Sequence, residues 1–209
     1  PDERVTNGPD LATAMLHRAC NQGAIVECNT HVYALQVING RVCGVRTSNG
    51  TISAGAVILA GGAWTTSLSE TAGLDRSLTP LRRVAVITDA DPHAMPNHPW
   101  CWLDDVGLYA KPHQGGWMVS PCDEVPVPTP VGSGSTGIPT DSQWRLLKAK
   151  TERFLPALSA LQTQIGWTGL RTFAPDRRPL LGQDGEMPGL WWAAGLGGSG
   201  VSGCWGVAE

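Results

Sequence analysis

Two Asn-Gly pairs, at 39–40 and 49–50, constrain this chain more than any other feature. Asn and Gly tolerate the positive φ that a type I′ hairpin turn demands at both central positions. The strand-like runs around them, residues 31–38, 41–48 and 51–54, are predicted to form an antiparallel β-meander. Ala56-Val-Ile-Leu-Ala60 follows without alternation, which suits a parallel strand buried on both faces. Gly61, Gly62, Ala63 and Trp64 then make a tight turn. Ahead of the meander, Pro9 and Asp10 open a helix, a proline in the first turn and a carboxylate at the positive end of the dipole. Leu11, Met15 and Ala19, beside Ala12, Leu16 and Cys20, give that helix an apolar stripe, and Gly23 closes it. An apolar segment at 24–28 links helix to meander.

A second region begins near Pro80. Residues 81–88 read as a strand, 92–99 as a proline-broken loop, and 106–111 with 117–120 as a hairpin around His113–Gly116. Residues 121–137 are rich in Pro, Gly and Ser and read as a surface loop. Thr140 and Gln143 form a capping box for a helix over 141–155, on which Trp144, Leu147, Thr151 and Phe154 share a face. Short strands at 169–174 and 178–182 precede the apolar run Leu190-Trp-Trp-Ala-Ala194. The order of elements is α/β (α+β): residues 1–78 and 169–209 carry helix, meander and parallel-type strands, and 79–168 an antiparallel sheet with a helix.

Composition excludes several function classes. Fifteen Lys and Arg against eighteen Asp and Glu leave a net charge of −3, with no basic field for nucleic acid and no basic run for a membrane surface. No apolar run approaches the roughly 18 residues of a transmembrane span. The six cysteines have neither zinc nor CxxC spacing, so they read as reduced thiols in a cytoplasmic protein. His93, His98 and Cys101 sit among prolines that fix no tetrahedral geometry, and no metal is expected. The start, Pro1-Asp-Glu-Arg, lacks an initiator Met and a signal pattern, and Val207-Ala-Glu ends without a cap; both ends read as cut.

Two features carry chemistry. The turn Gly195-Leu-Gly-Gly-Ser-Gly-Val-Ser-Gly203 follows an apolar strand, so its backbone is either a close-approach site for negative charge or a flexible tail. Arg171 lies in a run otherwise built from Trp167, Leu170 and Phe173. Its guanidinium either grips a carboxylate through two parallel hydrogen bonds or snorkels from a strand edge. Tyr109 is a candidate partner or a core aromatic, Arg82 and Arg83 a salt-bridged strand start. Asp104-Asp105 and Asp123-Glu124 read as solvated turns, and no side-chain general base is identified.

The ordered set Val57-Ile-Leu-Ala-Gly-Gly-Ala-Trp64, Pro80-Leu-Arg-Arg83, Gly107-Leu-Tyr-Ala-Lys-Pro112, Gly169-Leu-Arg-Thr-Phe-Ala-Pro-Asp176, Pro179-Leu-Leu-Gly182 and Ala194-Gly-Leu-Gly-Gly-Ser-Gly200 resembles the FAD-dependent D-amino acid oxidase superfamily. Within it the chain is most similar to the D-arginine dehydrogenase and glycine or sarcosine oxidase-like branch, from about residue 9 to 203. The resemblance implies a partial three-layer FAD domain interleaved with an antiparallel substrate sheet that roofs the flavin. It implies FAD contacts at Val32, Gly61, Gly62, Ala63, Trp64, Gly195, Gly197, Gly198, Ser199, Gly200 and Val201. Arg171 and Tyr109 would bind the carboxylate of an amino acid substrate, with Arg82 or Arg83 nearby. The activity implied is oxidation of a CH–NH bond to an imine by hydride transfer to flavin. The chain departs from the pattern in two ways. The N-terminal Gly-x-Gly-x-x-Gly fingerprint is absent, as though the chain begins after it and another segment or partner chain completes the FAD site. Ser199 also stands where this branch often has an aromatic. A non-catalytic module that never holds flavin is the alternative these departures leave open.

Overall fold

A computed structural model describes residues 8–128 and 137–208. The first helix, α1 (Gly8–Asn21), starts where its proline and aspartate direct, but none of its residues is buried. Of its apolar stripe, Leu11 and Ala19 are part-buried, while Met15 and Leu16 are exposed. The segment at 24–28 forms no strand, and Ile25 stands in solvent.

The meander forms as its turns dictate. Strands β1 (Val32–Ile38), β2 (Arg41–Thr47) and β3 (Gly50–Ser53) pair antiparallel in that order. Asn39 and Gly40 both adopt positive φ, at 49° and 72°. Next come β4 (Val57–Leu59), a single 3₁₀ turn at Gly62–Trp64 and the short helix α2 (Thr65–Glu70). The long strand β5 (Thr79–Thr88) opens the second region, followed by β6 (Cys101–Leu103), β7 (Leu108–His113), β8 (Gly116–Ser120) and the two-residue β9 (Val125–Pro126). Part of the 121–137 loop, residues 129–136, lies outside the described residues, as does the extreme N-terminus. Helix α3 (Asp141–Phe154) carries the complete Thr140–Gln143 capping box, and one turn, α4 (Pro156–Ser159), follows. Strand β10 (Thr163–Phe173) starts six residues earlier than its sequence pattern suggests, and β11 (Leu180–Gln183), β12 (Leu190–Ala194) and α5 (Gly200–Ala208) complete the order.

Two cores organise these elements. Leu35, Val42, Leu59, Leu74, Leu190 and Trp192 join the meander to a three-stranded sheet of order β11-β12-β4. There β4 and β12 run parallel, as the apolar runs required. Gly189 makes the joint possible: at φ 82°, a β-carbon on it would fall 2.2 Å from the Val42 carbonyl oxygen. Strand β4 is not buried on both faces as expected. Leu59 faces the core, but Ile58 is 66% exposed and its sheet neighbour Trp191 41%. The second core, centred on Val84, Val86, Leu108, Ala110, Trp117, Val119 and Leu147, lies between α3 and one face of a six-stranded sheet. That sheet runs β10-β5-β8-β7-β6, with β9 on β5. The opposite face, which carries Arg83, Ala85 and Ile87, is only part-buried among the described residues.

Candidate active site

Strand register decides which side chains share that open face. Residues directly opposite in an antiparallel pair project to the same side, and next neighbours to opposite sides. Arg171 stands opposite Leu81 and Gly169 opposite Arg83, so Arg171 and Arg83 occupy one face as diagonal neighbours. Arg82 falls on the other, with Val84 and Val86. Tyr109, opposite Ser120 on β8 and Trp102 on β6, projects from the open face too. Of the two arginines that sequence left undivided, it is Arg83 that joins Arg171.

The electrostatics agree. Burial pushes the Tyr109 phenol above its ordinary value, Cys122 adds to the rise, and the positive charge of Arg171 opposes it. Desolvation pulls the Arg171 guanidinium down, and the like charge of Arg83 pulls the same way. Arg171 is nevertheless solvent-exposed among the described residues, despite the apolar run around it. It also points toward the glycine turn: a β-carbon on Gly198 would stand 2.8 Å from Arg171 Nη1. Tyr109 packs with Trp100 and Trp102, ring centroids 5.8 and 6.3 Å away.

The turn after β12 is anchored rather than loose. Gly197 N–H donates to the Thr172 carbonyl at 3.1 Å, Phe173 bridges to Leu196, and the Phe173 ring lies where a Gly197 side chain would be. Gly195 and Gly197 have φ of 68° and 62°, a conformation that favours glycine. Helix α5 starts at Gly200, so its first N–H groups, which lack intrahelical partners, open beside this turn.

Between turn and sheet lies a cleft of about 430 Å³, walled by Gly62, Ala63 and Trp64, by Leu170, Arg171 and Thr172, and by Ala193–Gly198 with Gly200 and Val201. Cofactor sites commonly occupy roughly 300–1,000 Å³. Gly62, at φ 53°, leaves open space where a β-carbon would be. An apolar floor, glycine backbone and a helix N-terminus beside a guanidinium suit a planar, partly anionic group, so these residues fit the isoalloxazine end of FAD. Three of the expected cofactor residues lie off the cleft wall. Gly61 precedes the 3₁₀ turn, Ser199 turns its hydroxyl to the Leu196 carbonyl at 2.8 Å, and Val32 sits half-buried at the start of β1.

Two features escaped the sequence reading. Gly195, Gly197 and Gly200 themselves spell Gly-x-Gly-x-x-Gly between strand β12 and helix α5. The chain thus holds one such turn, although none stands near its start. Asp123-Glu124 is the other, and is no solvated turn. Asp123 is buried and accepts from Val84 N–H at 2.8 Å and Gln143 Nε2 at 2.6 Å. Glu124 binds Arg83 and receives Arg177 through two bonds, of 3.0 and 2.6 Å. The Arg177 hydrogen bonds hold the Glu124 carboxyl below its ordinary value. No local pattern announces this pairing, since Arg83 and Arg177 lie 41 and 53 residues away. Among the described residues no group of His, Cys, Asp or Glu is arranged to hold a metal, and no helix is long and apolar enough to cross a membrane.

The model of the FAD dependent oxidoreductase (DAO) family matches residues 1–209. The chain belongs to that family. Among its relatives is a glycine oxidase of Pseudomonas aeruginosa, 30% identical over 155 residues, covering 74% of this chain and 40% of the relative. The solved glycine oxidase of Geobacillus kaustophilus superposes with a TM-score of 0.75 at 26% identity, covering 92% of this chain and 50% of that one. L-proline dehydrogenase from P. horikoshii shares the fold, with a TM-score of 0.76 at 24% identity over 92% of this chain and 50% of its own. The chain spans 40% of the length of the first of these proteins and 50% of the other two.

Proposed function

We propose that the protein containing this chain oxidises the CH–NH bond of an amino acid to an imine, with Arg171 and Tyr109 holding the substrate carboxylate. The observation that carries this reading is the convergence of Arg171, Tyr109 and Arg83 on the open sheet face, with Arg171 against the glycine turn. Residues 1–78 and 169–209 would belong to the FAD domain, 79–168 to the substrate roof, and segments outside this chain would complete the cofactor site. Bound FAD would supply the hydride acceptor.

The chain's own residues supply position and charge. The Arg171 guanidinium presents a planar fork that matches a carboxylate with two hydrogen bonds. The raised pKa of Tyr109 keeps its phenol protonated near neutral pH, a donor for the same carboxylate rather than a base. Glu124 is held by two arginines and does not serve as a base either. The substrate amine therefore enters neutral, and fixing the carboxylate aims the α-hydrogen. The first N–H groups of α5, at Gly200 and Val201 on the cleft wall, bring the positive end of the helix dipole to the cleft.

Replacing Arg171 by Met in the full-length protein is expected to raise KM by an amount worth about 2–5 kcal/mol of lost carboxylate binding. Steady-state kinetics on a monocarboxylic amino acid measures this, and an unchanged KM ends the proposal. A full-length protein that never shows flavin absorbance would instead support a non-catalytic module.

A further inference from the structure

The open face holds more positive charge than one carboxylate can use. Arg83 and Arg171 are diagonal neighbours there, Arg177 is drawn in by Glu124, and among the described residues the carboxylate paired with Arg83 and Arg177 is Glu124, whose charge Arg171 also feels. Three guanidinium groups against one carboxylate leave two positive charges uncompensated. The other acid on this stretch, Asp123, is spent on the opposite side against Val84 and Gln143. Like charges held side by side destabilise a fold unless an anion joins them. The Arg83 Nε–H is moreover buried with no hydrogen-bond partner among the described residues. There is also room: Gly169, opposite Arg83 and two residues from Arg171, has nothing within 4 Å of where its β-carbon would be.

We propose that the substrate is an amino acid bearing a second carboxylate, whose α-carboxylate lies on Arg171 and whose other acid group is drawn to Arg83 across the gap at Gly169. This rests on the reading of Arg171 as the carboxylate anchor, and it names the substrate class for that site. A dicarboxylate with a neutral amine balances both spare charges, and a monocarboxylate leaves one. A monocarboxylate with a cationic side chain leaves both, so the face disfavours arginine- or lysine-like substrates despite the resemblance to the D-arginine dehydrogenase branch.

Ligand binding tests this apart from turnover. The full-length protein is titrated with succinate, with butyrate as the monocarboxylate of equal length, and with inorganic phosphate, reading tryptophan fluorescence or calorimetric heat. Succinate is expected to bind about tenfold more tightly than butyrate, the effect of one further charge-assisted contact. Arg83→Met should bring the two within about threefold while butyrate binding persists, which also reports that the variant folds; Arg83→Lys should keep part of the preference. Equal affinity of the wild type for succinate and butyrate overturns the proposal, and so does phosphate binding as tightly as succinate, the mark of an unspecific anion field. The wild-type comparison decides even if Arg83→Met fails to fold. Loss of flavin reduction by every amino acid would sink the proposed function instead, whereas reduction by monocarboxylic amino acids without succinate preference would sink only the substrate class.

Discussion

At the scale of single residues, the site depends on where the Arg171 guanidinium is held. A methyl group at Gly198 would stand 2.8 Å from Nη1, at the far end of a flexible side chain, so the guanidinium can move away at little cost to the fold. Gly198→Ala is therefore expected to leave the melting temperature within about 2 °C and to raise KM several-fold, a small displacement of a positioning group being expensive in catalysis. Gly197→Ala makes the control. Its φ is 62° and its new methyl would strike the Phe173 ring, so thermal unfolding should register a clear loss of stability. If Gly198→Ala kinetics match the wild type, the turn does not position Arg171. A lone guanidinium in an aromatic run and a glycine cluster after an apolar strand are local signals that drew attention to Arg171 and the turn, but each kept an alternative reading, and only the family resemblance joined Tyr109 to them. Glu124 had no such signal. Its meaning comes from two arginines brought to it by strand pairing and by a loop, and no spacing rule spans those separations.

Elements are joined by polar hubs as well as by packing, and Asp184 is the clearest. It follows β11 and is buried, yet it accepts from Trp192 Nε1 at 2.8 Å, from the Glu186 and Met187 amides at 2.9 and 2.8 Å, and from Arg76 at 2.9 Å. One side chain thus ties β12, the turn before it and the link between α2 and β5. Desolvation would raise its pKa, but these hydrogen bonds outweigh it and the net shift is downward. A depressed folded pKa means that the stabilisation is present above the unfolded value of about 3.9 and is lost as pH falls through the folded one. Asp184→Asn is expected to cost about 3 kcal/mol at pH 7, in urea unfolding, and the gap to wild type should narrow as the pH falls below the unfolded value and through the depressed folded one. A gap of the same size at neutral and at acid pH would mean that the charge is not what the hub uses. Elements announced by turn chemistry or capping, the meander and α3 above all, were legible from the sequence to within a few residues. The early start of β10 was hidden, because Thr163–Gly166 acquires strand character only by pairing with the far end of β5.

For the molecule as a whole, the unequal covering of its sheets is the property with the most consequence. A parallel pair is ordinarily covered on both faces, yet the β11-β12-β4 sheet packs one face on the meander and leaves Ile58, Trp191 and Leu181 in solvent, with β4 as an unpaired edge. Helix α1 likewise carries Met15 and Leu16 outward. Apolar patches of this kind mark surfaces that another part of a protein or a partner covers, and the chain spans 40% of the P. aeruginosa glycine oxidase and about half of the solved relatives. Produced as these 209 residues alone, the chain is expected to bind a hydrophobic dye such as anilinonaphthalene sulfonate strongly, and Ile58→Lys should reduce that binding without unfolding the meander core, because Ile58 contributes nothing to it. In the full-length protein the dye should bind weakly, and the same substitution should now cost stability and flavin retention, since a lysine would be forced under the covering element. Dye binding of equal strength in both forms, with Ile58→Lys tolerated in each, would mean that this face meets water in the working protein and that the cleft beside it needs no further chain.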